Sequence, residues 1–265
     1  MSNIIIFPDY AKLKDEVAKL KKELVSAINE RDELIAVVCP NIEMQYMLLF
    51  GDIEYKALNI ELAYRRIKRK AELIIARKNM GEKVNFVEIE KELDEELKEF
   101  LEKLEETLDG INRALSRSKG ERMSAESRER FKSMYREIVR KLHPDLHPDE
   151  SSEQLELFFH AVEAYRNGDS AAMEFIYAIV CGEAEKEKQS TITQLSEERD
   201  RLSEAVRVTN EDIAAIKGRF PYTMKELLSD DEKIAEKKRT LEKAIFDYKI
   251  SIKTYEKKIN ELLGR

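Results

Sequence analysis

Apolar side chains return at alternating three- and four-residue intervals through most of this chain, and that spacing constrains its fold more than any other feature. Leu13, Val17, Leu20, Leu24, Ala27, Leu34 and Val38 follow it, as expected for one face of an α-helix laid along another. Pro40 predicts the end of that helix. A second seam runs from Ile42 through Tyr46, Leu49, Ile53, Ile60, Tyr64 and Ile67 to Ile74, predicting a helix over 42–79 that closes at Gly81. Asn85 with Glu88 reads as an N-cap pair. It opens a third helix whose stripe is Phe86, Ile89, Leu93, Leu97, Phe100, Leu104, Leu108, Ile111 and Leu115. Residues 116–124, SRSKGERMS, read as a linker.

The C-terminal third carries two more seams. One passes through Ile192, Leu195, Leu202, Val206, Ile213 and Ile216, the other through Ile234, Leu241, Ile245, Tyr248, Ile252, Tyr255, Ile259 and Leu262. KGRFPYT at 217–223 separates them, which predicts an antiparallel hairpin. A parallel dimer of these arms would have to run straight through Gly218 and Pro221, and a homodimer stays open as an alternative.

Composition agrees with long helices. Among 265 residues, 38% are charged, with 8 Gly, 5 Pro and no Trp. The net charge of −7 does not suggest a nucleic-acid binder. YRRIKRK at 64–70 is a local basic stretch, read as a solvated helix face with an anionic partner as its alternative. Cys39 and Cys181 are too few and too far apart for a disulfide framework, and both sit among apolar residues as expected of buried thiols. The Ile4–Phe7 run lacks a basic leader and is cut short by Pro8, so it does not read as a signal peptide. No apolar run approaches membrane-spanning length. These features predict a soluble protein of a reducing cytoplasm, with no membrane contact.

The residues that could carry chemistry lie between the helical ends. Ser124 is a candidate N-cap with Glu126 in the first turn. Phe131, Tyr135, Ile138 and Leu142 then share one face, while Arg128, Lys132, Arg136 and Arg140 recur every four residues on another. From 128 to 141 six Lys and Arg stand against two Glu, +6 − 2 = +4, a basic patch in an acidic chain. RKLHPDLHPDE follows, with His-Pro-Asp at 143–145 and again at 147–149. Pro144 pushes His143 out of helical geometry and ends the helix. A new helix begins near Glu153, with Leu155, Phe158, Phe159, Val162 and Tyr165 on its apolar face, and stops at Asn167-Gly168. Asp169 caps a short helix, Ala171–Val180, expected to end at Gly182.

A basic amphipathic helix, a His-Pro-Asp loop and a second antiparallel helix resemble the J domain, the module that engages DnaK-type heat-shock chaperones. Tyr135-Arg136 begins eight residues before His143, Pro148 follows Asp145 at the family's spacing, and Phe158 with Glu163-Ala164-Tyr165 matches the Phe-x-x-x-x-Glu-Ala-Tyr of the following helix. That register makes His143-Pro144-Asp145 the motif and the second tripeptide an echo that supplies the loop proline. The chain departs from the pattern in five ways. No Tyr-x-x-Leu-Gly precedes Ser124, Leu146 replaces a basic residue after Asp145, Glu137 stands where a basic residue is frequent, the helix after Tyr165 lacks the usual Lys-Arg cluster, and no Gly/Phe-rich linker or zinc module follows.

The resemblance covers 124–182. It implies a central J-like helix cluster at 124–182, and with the apolar seams on either side the expectation is an all-α protein with an N-terminal helical segment at 1–118 and an antiparallel helical hairpin at 183–265. It also implies a co-chaperone or adaptor, not an enzyme, that recruits and stimulates a DnaK-type ATPase and holds an unknown cargo protein on its helical arms. The partner-binding residues it implies are Lys132, Tyr135, Arg136, Arg140, Lys141, His143, Pro144 and Asp145, with His143 and Asp145 exposed in the loop. Asp145 would accept an arginine from the partner, and Arg136, Arg140 and Lys141 would steer an acidic surface. The alternative is a helical scaffold whose J-like fold no longer activates a chaperone. No cofactor is expected. His143, Asp145, His147, Asp149 and His160 are suitable metal ligands by type, but Pro144 and Pro148 restrict their directions and no metal is expected.

Overall fold

The computed structural model describes residues 8–120, 123–149, 151–181 and 191–264. Among them only helices and turns occur, so the chain is all-α. In chain order the α-helices are α1 (Pro8–Glu33), α2 (Cys39–Tyr46), α3 (Asp52–Asn79), α4 (Phe86–Glu96), α5 (Lys98–Lys119), α6 (Ala125–Leu142), α7 (Ser152–Asn167), α8 (Ser170–Cys181), α9 (Ile192–Lys217), α10 (Lys225–Leu228) and α11 (Asp231–Leu263). Two π-helical segments, Leu34–Val38 and Met47–Gly51, flank α2. The Ile4–Phe7 run and the expected stop at Gly182 lie outside the described residues.

Pro40 does not end a helix; it sits inside α2. The π segment before it explains why. The Cys39 N–H bonds back to the Leu34 carbonyl, and this wider turn relieves the crowding that a proline ring imposes on the carbonyl four residues earlier. The third helix is not continuous either. It breaks at Leu97 (φ −101°, ψ 10°). Ile89 and Leu93 are buried on α4, Gly110 and Ala114 on α5. Each pair is offset by 21 residues, which in one straight helix would leave the second face roughly 60° behind the first. The break lets both faces turn inward. The linker expected from 116 is helical as far as Lys119.

The chain divides into two compact units that cross the expected boundaries. One comprises Met1–Asn41 and Glu121–Thr223, the other Ile42–Gly120 and Met224–Arg265. The division at 1–118, 124–182 and 183–265 is corrected accordingly, and so is the C-terminal hairpin. In the first unit α9 packs along α1, in parallel: Lys21 pairs with Glu198 (2.7 Å) and Glu30 with Lys217 (2.6 Å). In the second, α11 packs along α3, again in parallel: Glu54 meets Lys237 (3.0 Å), Tyr64 meets Tyr248 (5.1 Å), and Lys78 bonds the Leu262 carbonyl. A heptad seam specifies that a helix has a partner but not which helix it is, and neighbours in sequence are only the simplest guess.

The core of the first unit joins Val17, Leu24 and Ile28 of α1, Leu195 and Leu202 of α9, and the inner faces of α6, α7 and α8. The second unit is built on close approach. A Cβ added at Gly51 would lie 2.7 Å from Ile111, and one at Gly110 would lie 3.0 Å from Met47, so two glycines let α5 lie against the second π segment. A smaller apolar cluster buries Leu73 and Ile74 against Ile89 and Leu93.

One composition call is also corrected. The helical run Asp9–Asn79 contains an 18-residue window of mean hydropathy 1.4, long and apolar enough to cross a membrane by length and composition alone; 33% of that window is buried inside the protein. Pro40, Asn41, Glu43 and Gln45 interrupt its apolar residues, so no uninterrupted run betrays it.

Candidate functional site

Helix α6 begins where Ser124 accepts the Ser127 N–H (3.0 Å) and ends at His143, whose backbone has turned extended (φ −65°, ψ 129°) ahead of Pro144. The loop then folds on itself: the Leu146 and His147 N–H groups both bond the His143 carbonyl at 2.9 Å. Ser151 opens α7 with a capping box, and Gly168 closes it in the left-handed conformation. The two helices pack antiparallel, with Phe131 and Tyr135 at the level of Tyr165 (5.4 and 4.1 Å) and His143 at the level of Phe158 (5.0 Å). Asp169 accepts the Ala172 N–H and starts α8.

His143 is not exposed, which corrects the expectation. It is 6% accessible, its ring edge-on to Phe158. Its Nδ1 accepts the Asp145 N–H (3.1 Å), so the neutral ring carries its hydrogen on Nε2. Burial pushes its pKa down, partly opposed by Asp145 at 3.9 Å. Leu146 is buried beside it. The residue that replaces a basic one therefore anchors the loop to the core. His147 has a structural job too: its Nε2 donates to the Arg140 carbonyl (2.7 Å) and satisfies one of the open carbonyls at the end of α6.

The loop presents Asp145 outward, its side chain half exposed, and Pro148 and Asp149 are exposed beside it. Its carbonyl is held from behind by the Arg201 guanidinium of α9. On the outer face of α6, Arg136 and Arg140 are exposed, with intrahelical partners Glu129 (3.7 Å) and Glu137. Lys141 reaches the Val180 carbonyl (3.3 Å). Arg140 and Lys141 lie in the last turn of α6 beside the loop, and Arg136 about one turn earlier.

Of the two other expected contact residues, Tyr135 lies on the apolar face, buried against Tyr165, and Lys132 is half-buried. Tyr135 is 1% accessible; its hydroxyl donates to Asp32 (2.6 Å) and its ring stacks on Tyr165. Burial and the Asp32 carboxylate hold its pKa far above the ordinary range, and burial with Glu33 and Asp32 pushes Tyr165 up to about 12. Lys132 pairs with Glu33 and is only 19% exposed. Both residues are engaged by the end of α1. The sequence reading missed Asp32 and Arg201. Asp32 had left a signal: it continues the four-residue spacing of Leu24 and Ile28, both fully buried, and so puts a carboxylate in line with the core face.

Among the described residues no three His, Cys, Asp or Glu side chains converge as a metal site would require. Cys39 and Cys181 are half-buried and not joined to each other. The basic stretch at 64–70 is largely neutralised within its own unit. Arg66 pairs with Glu90 and Asp94, Lys70 with Glu90, and Arg69 with Glu96 (2.8 Å). No family model, no curated protein and no solved structure matches this chain.

Proposed function

We propose that this chain is a J-domain-type co-chaperone or adaptor of the cytoplasm, which recruits a DnaK-type ATPase and stimulates it without itself catalysing a reaction. The observation that carries the reading is the presentation of Asp145. Its carboxylate stands out from a loop fixed on three sides: His143 against Phe158, Leu146 in the core, and Arg201 on the Asp145 carbonyl. A carboxylate exposed on a rigid anchor suits bidentate recognition by an arginine, at little entropic cost. Arg140 in the last turn of α6 and Arg136 one turn earlier would steer an acidic partner surface. Lys132 and Tyr135 are committed to α1, so the contact falls to Asp145, Pro144, Arg136 and Arg140. The cargo would bind the helical surfaces outside the central cluster.

The scaffold reading is favoured by the same commitment: α1 and α9 grip the central helices through Asp32, Glu33 and Arg201, as a structural spacer would require. The two readings separate in an ATPase assay with a DnaK-type chaperone. Wild type raises steady-state hydrolysis, Asp145→Asn abolishes the rise while leaving helical content unchanged, and Arg136→Ala with Arg140→Ala weakens it. Equal rates with wild type and Asp145→Asn at saturating protein would leave the scaffold. His143→Gln is unsuited to this test, because its buried ring supports the loop.

A further inference from the structure

On α5, Leu101, Leu108 and Leu115 repeat every seven residues and are 40, 44 and 42% exposed. With Leu104 and Ile111 between them the spacing is three-four-three-four, the a/d pattern of a coiled-coil seam. The side away from these leucines is already used, with Gly110 and Ala114 buried, and the packed face reaches the stripe itself where Ile111 lies on Gly51. The leucine stripe is thus a second apolar edge beside the packed one.

Charge along α5 identifies what fits that edge. Residues 98–109 carry Lys98 and Lys103 against Glu99, Glu102, Glu105, Glu106 and Asp109, 2 − 5 = −3. Residues 110–119 carry Arg113, Arg117 and Lys119 and no acid, +3. Leu108 lies midway between Leu101 and Leu115. A second α5 laid antiparallel about Leu108 sets Leu108 on Leu108 and Leu101 on Leu115, and the acidic half on the basic half. A parallel copy would match the leucines but oppose acid to acid. We infer that the α5 leucine edge is a homodimer interface, two copies of this chain pairing antiparallel through a two-fold axis at Leu108. Such an interface is self-complementary by symmetry, and its polar flanks set direction.

Sedimentation velocity of the full chain tests this. Wild type shifts from monomer to dimer with rising concentration, and Leu108→Lys weakens that association by about tenfold or more, because it places two cations on the axis. Added salt also weakens the wild-type dimer. Cysteine substitution reads the direction. Under mild oxidation Leu108→Cys forms a covalent dimer well above the wild-type level. Leu101→Cys and Leu115→Cys cross-link when mixed but little when alone. A wild type that stays monomeric, a dimer indifferent to Leu108→Lys, or efficient self-cross-linking of Leu101→Cys would each overturn the proposal. Circular dichroism checks that Leu108→Lys keeps its helical content; if it does not, the cysteine result decides.

Discussion

Along α9, Leu195, Leu202, Ile213 and Ile216 are buried, whereas no residue of α11 is, although both helices pair in parallel with an N-terminal partner. The difference lies in what else each pair supports. In the first unit α6, α7 and α8 add a further layer of side chains over α1, which seals Leu24, Ile28, Tyr135 and Ile138 from water. In the second, α3 and α11 meet through tyrosine rings, Lys237 of α11 lies over the rings of Tyr46 in α2 (5.0 Å) and Phe50 in the second π segment (5.4 Å), and charged pairs tie α4 to α3. A helix seam of the same period can therefore end as a dry core or as a half-wet stack. Apolar burial dominates the first, while charge and ring contacts at partly exposed positions contribute more of the second.

The contrast predicts different costs for the same substitution. Phe158→Ala, at a 5% accessible position, should destabilise the first unit by about 3–5 kcal/mol. Phe246→Ala on α11, 62% exposed, should change stability by no more than about 0.5 kcal/mol. Denaturant unfolding, with hydrogen exchange resolved by segment, separates the two units. Equal costs would mean that the burial contrast carries no energetic weight.

A smaller effect sharpens the comparison at Asp32, a buried carboxylate of the first unit. Asp32→Ala leaves the Tyr135 hydroxyl inside the core without its acceptor, at a cost of about 1–3 kcal/mol. Tyr135→Phe removes the donor instead. If the hydrogen bond is what couples them, the double variant loses less than the two single losses added together. Strict additivity would show that each residue matters only through its packing.

Much of this was legible in the sequence, and the limits have identifiable causes. Asn85, Ser124 and Asp169 cap helices as their side-chain chemistry dictates, and Gly168 stops one because the chain there takes a positive φ. Local rules read local structure. Helix partners could not be read this way. Nothing in the seam of α9 distinguishes α1 from α11, and parallel pairing of segments so distant depends on everything folded between them. Pro40 was misread because a π turn cancels its steric rule. His143 was misplaced because a loop position suggests water, while Phe158 and Leu146 draw the ring inward. At the candidate site Asp145, Arg136 and Arg140 are exposed, while Lys132 and Tyr135 bond to residues of α1, a helix that no motif mentions.

Acid should distinguish the units in another way. Burial lowers the His143 pKa from its ordinary 6.5. The unfolded chain therefore binds the proton more readily, and stability is complete above about pH 6.5 and is lost as pH falls below it. Glu90 and Glu96 are held below the ordinary 4.5, Glu90 by Lys70 and then Arg66, Glu96 by Arg69. Their contribution persists until the pH falls below about 4.5. Between those two values hydrogen exchange should quicken in α6 and α7 while α3 and α4 stay protected. His143→Gln should flatten the response of the first unit in that window, and a response that persists in this variant would assign it to another group.

The smallest effect tests whether charge holds the second unit through networks or through single pairs. Glu96 accepts both the Nε and the terminal N–H of Arg69 (2.8 Å each), a favourable fork geometry. It is nonetheless an exposed pair, with side chains 41 and 38% accessible, so Glu96→Gln should cost less than about 1 kcal/mol. Raising salt in the wild type should erode the same contribution, because attraction between exposed charges is screened beyond about 8 Å at physiological ionic strength and over shorter distances above it. Glu90 joins Arg66 and Lys70 at once. Glu90→Gln releases two cations where Glu96→Gln releases one, so its loss should be the larger of the two and the more salt-sensitive. Equal, salt-independent losses would show that the acidic face of α4 contributes through its packed methylenes rather than its charge.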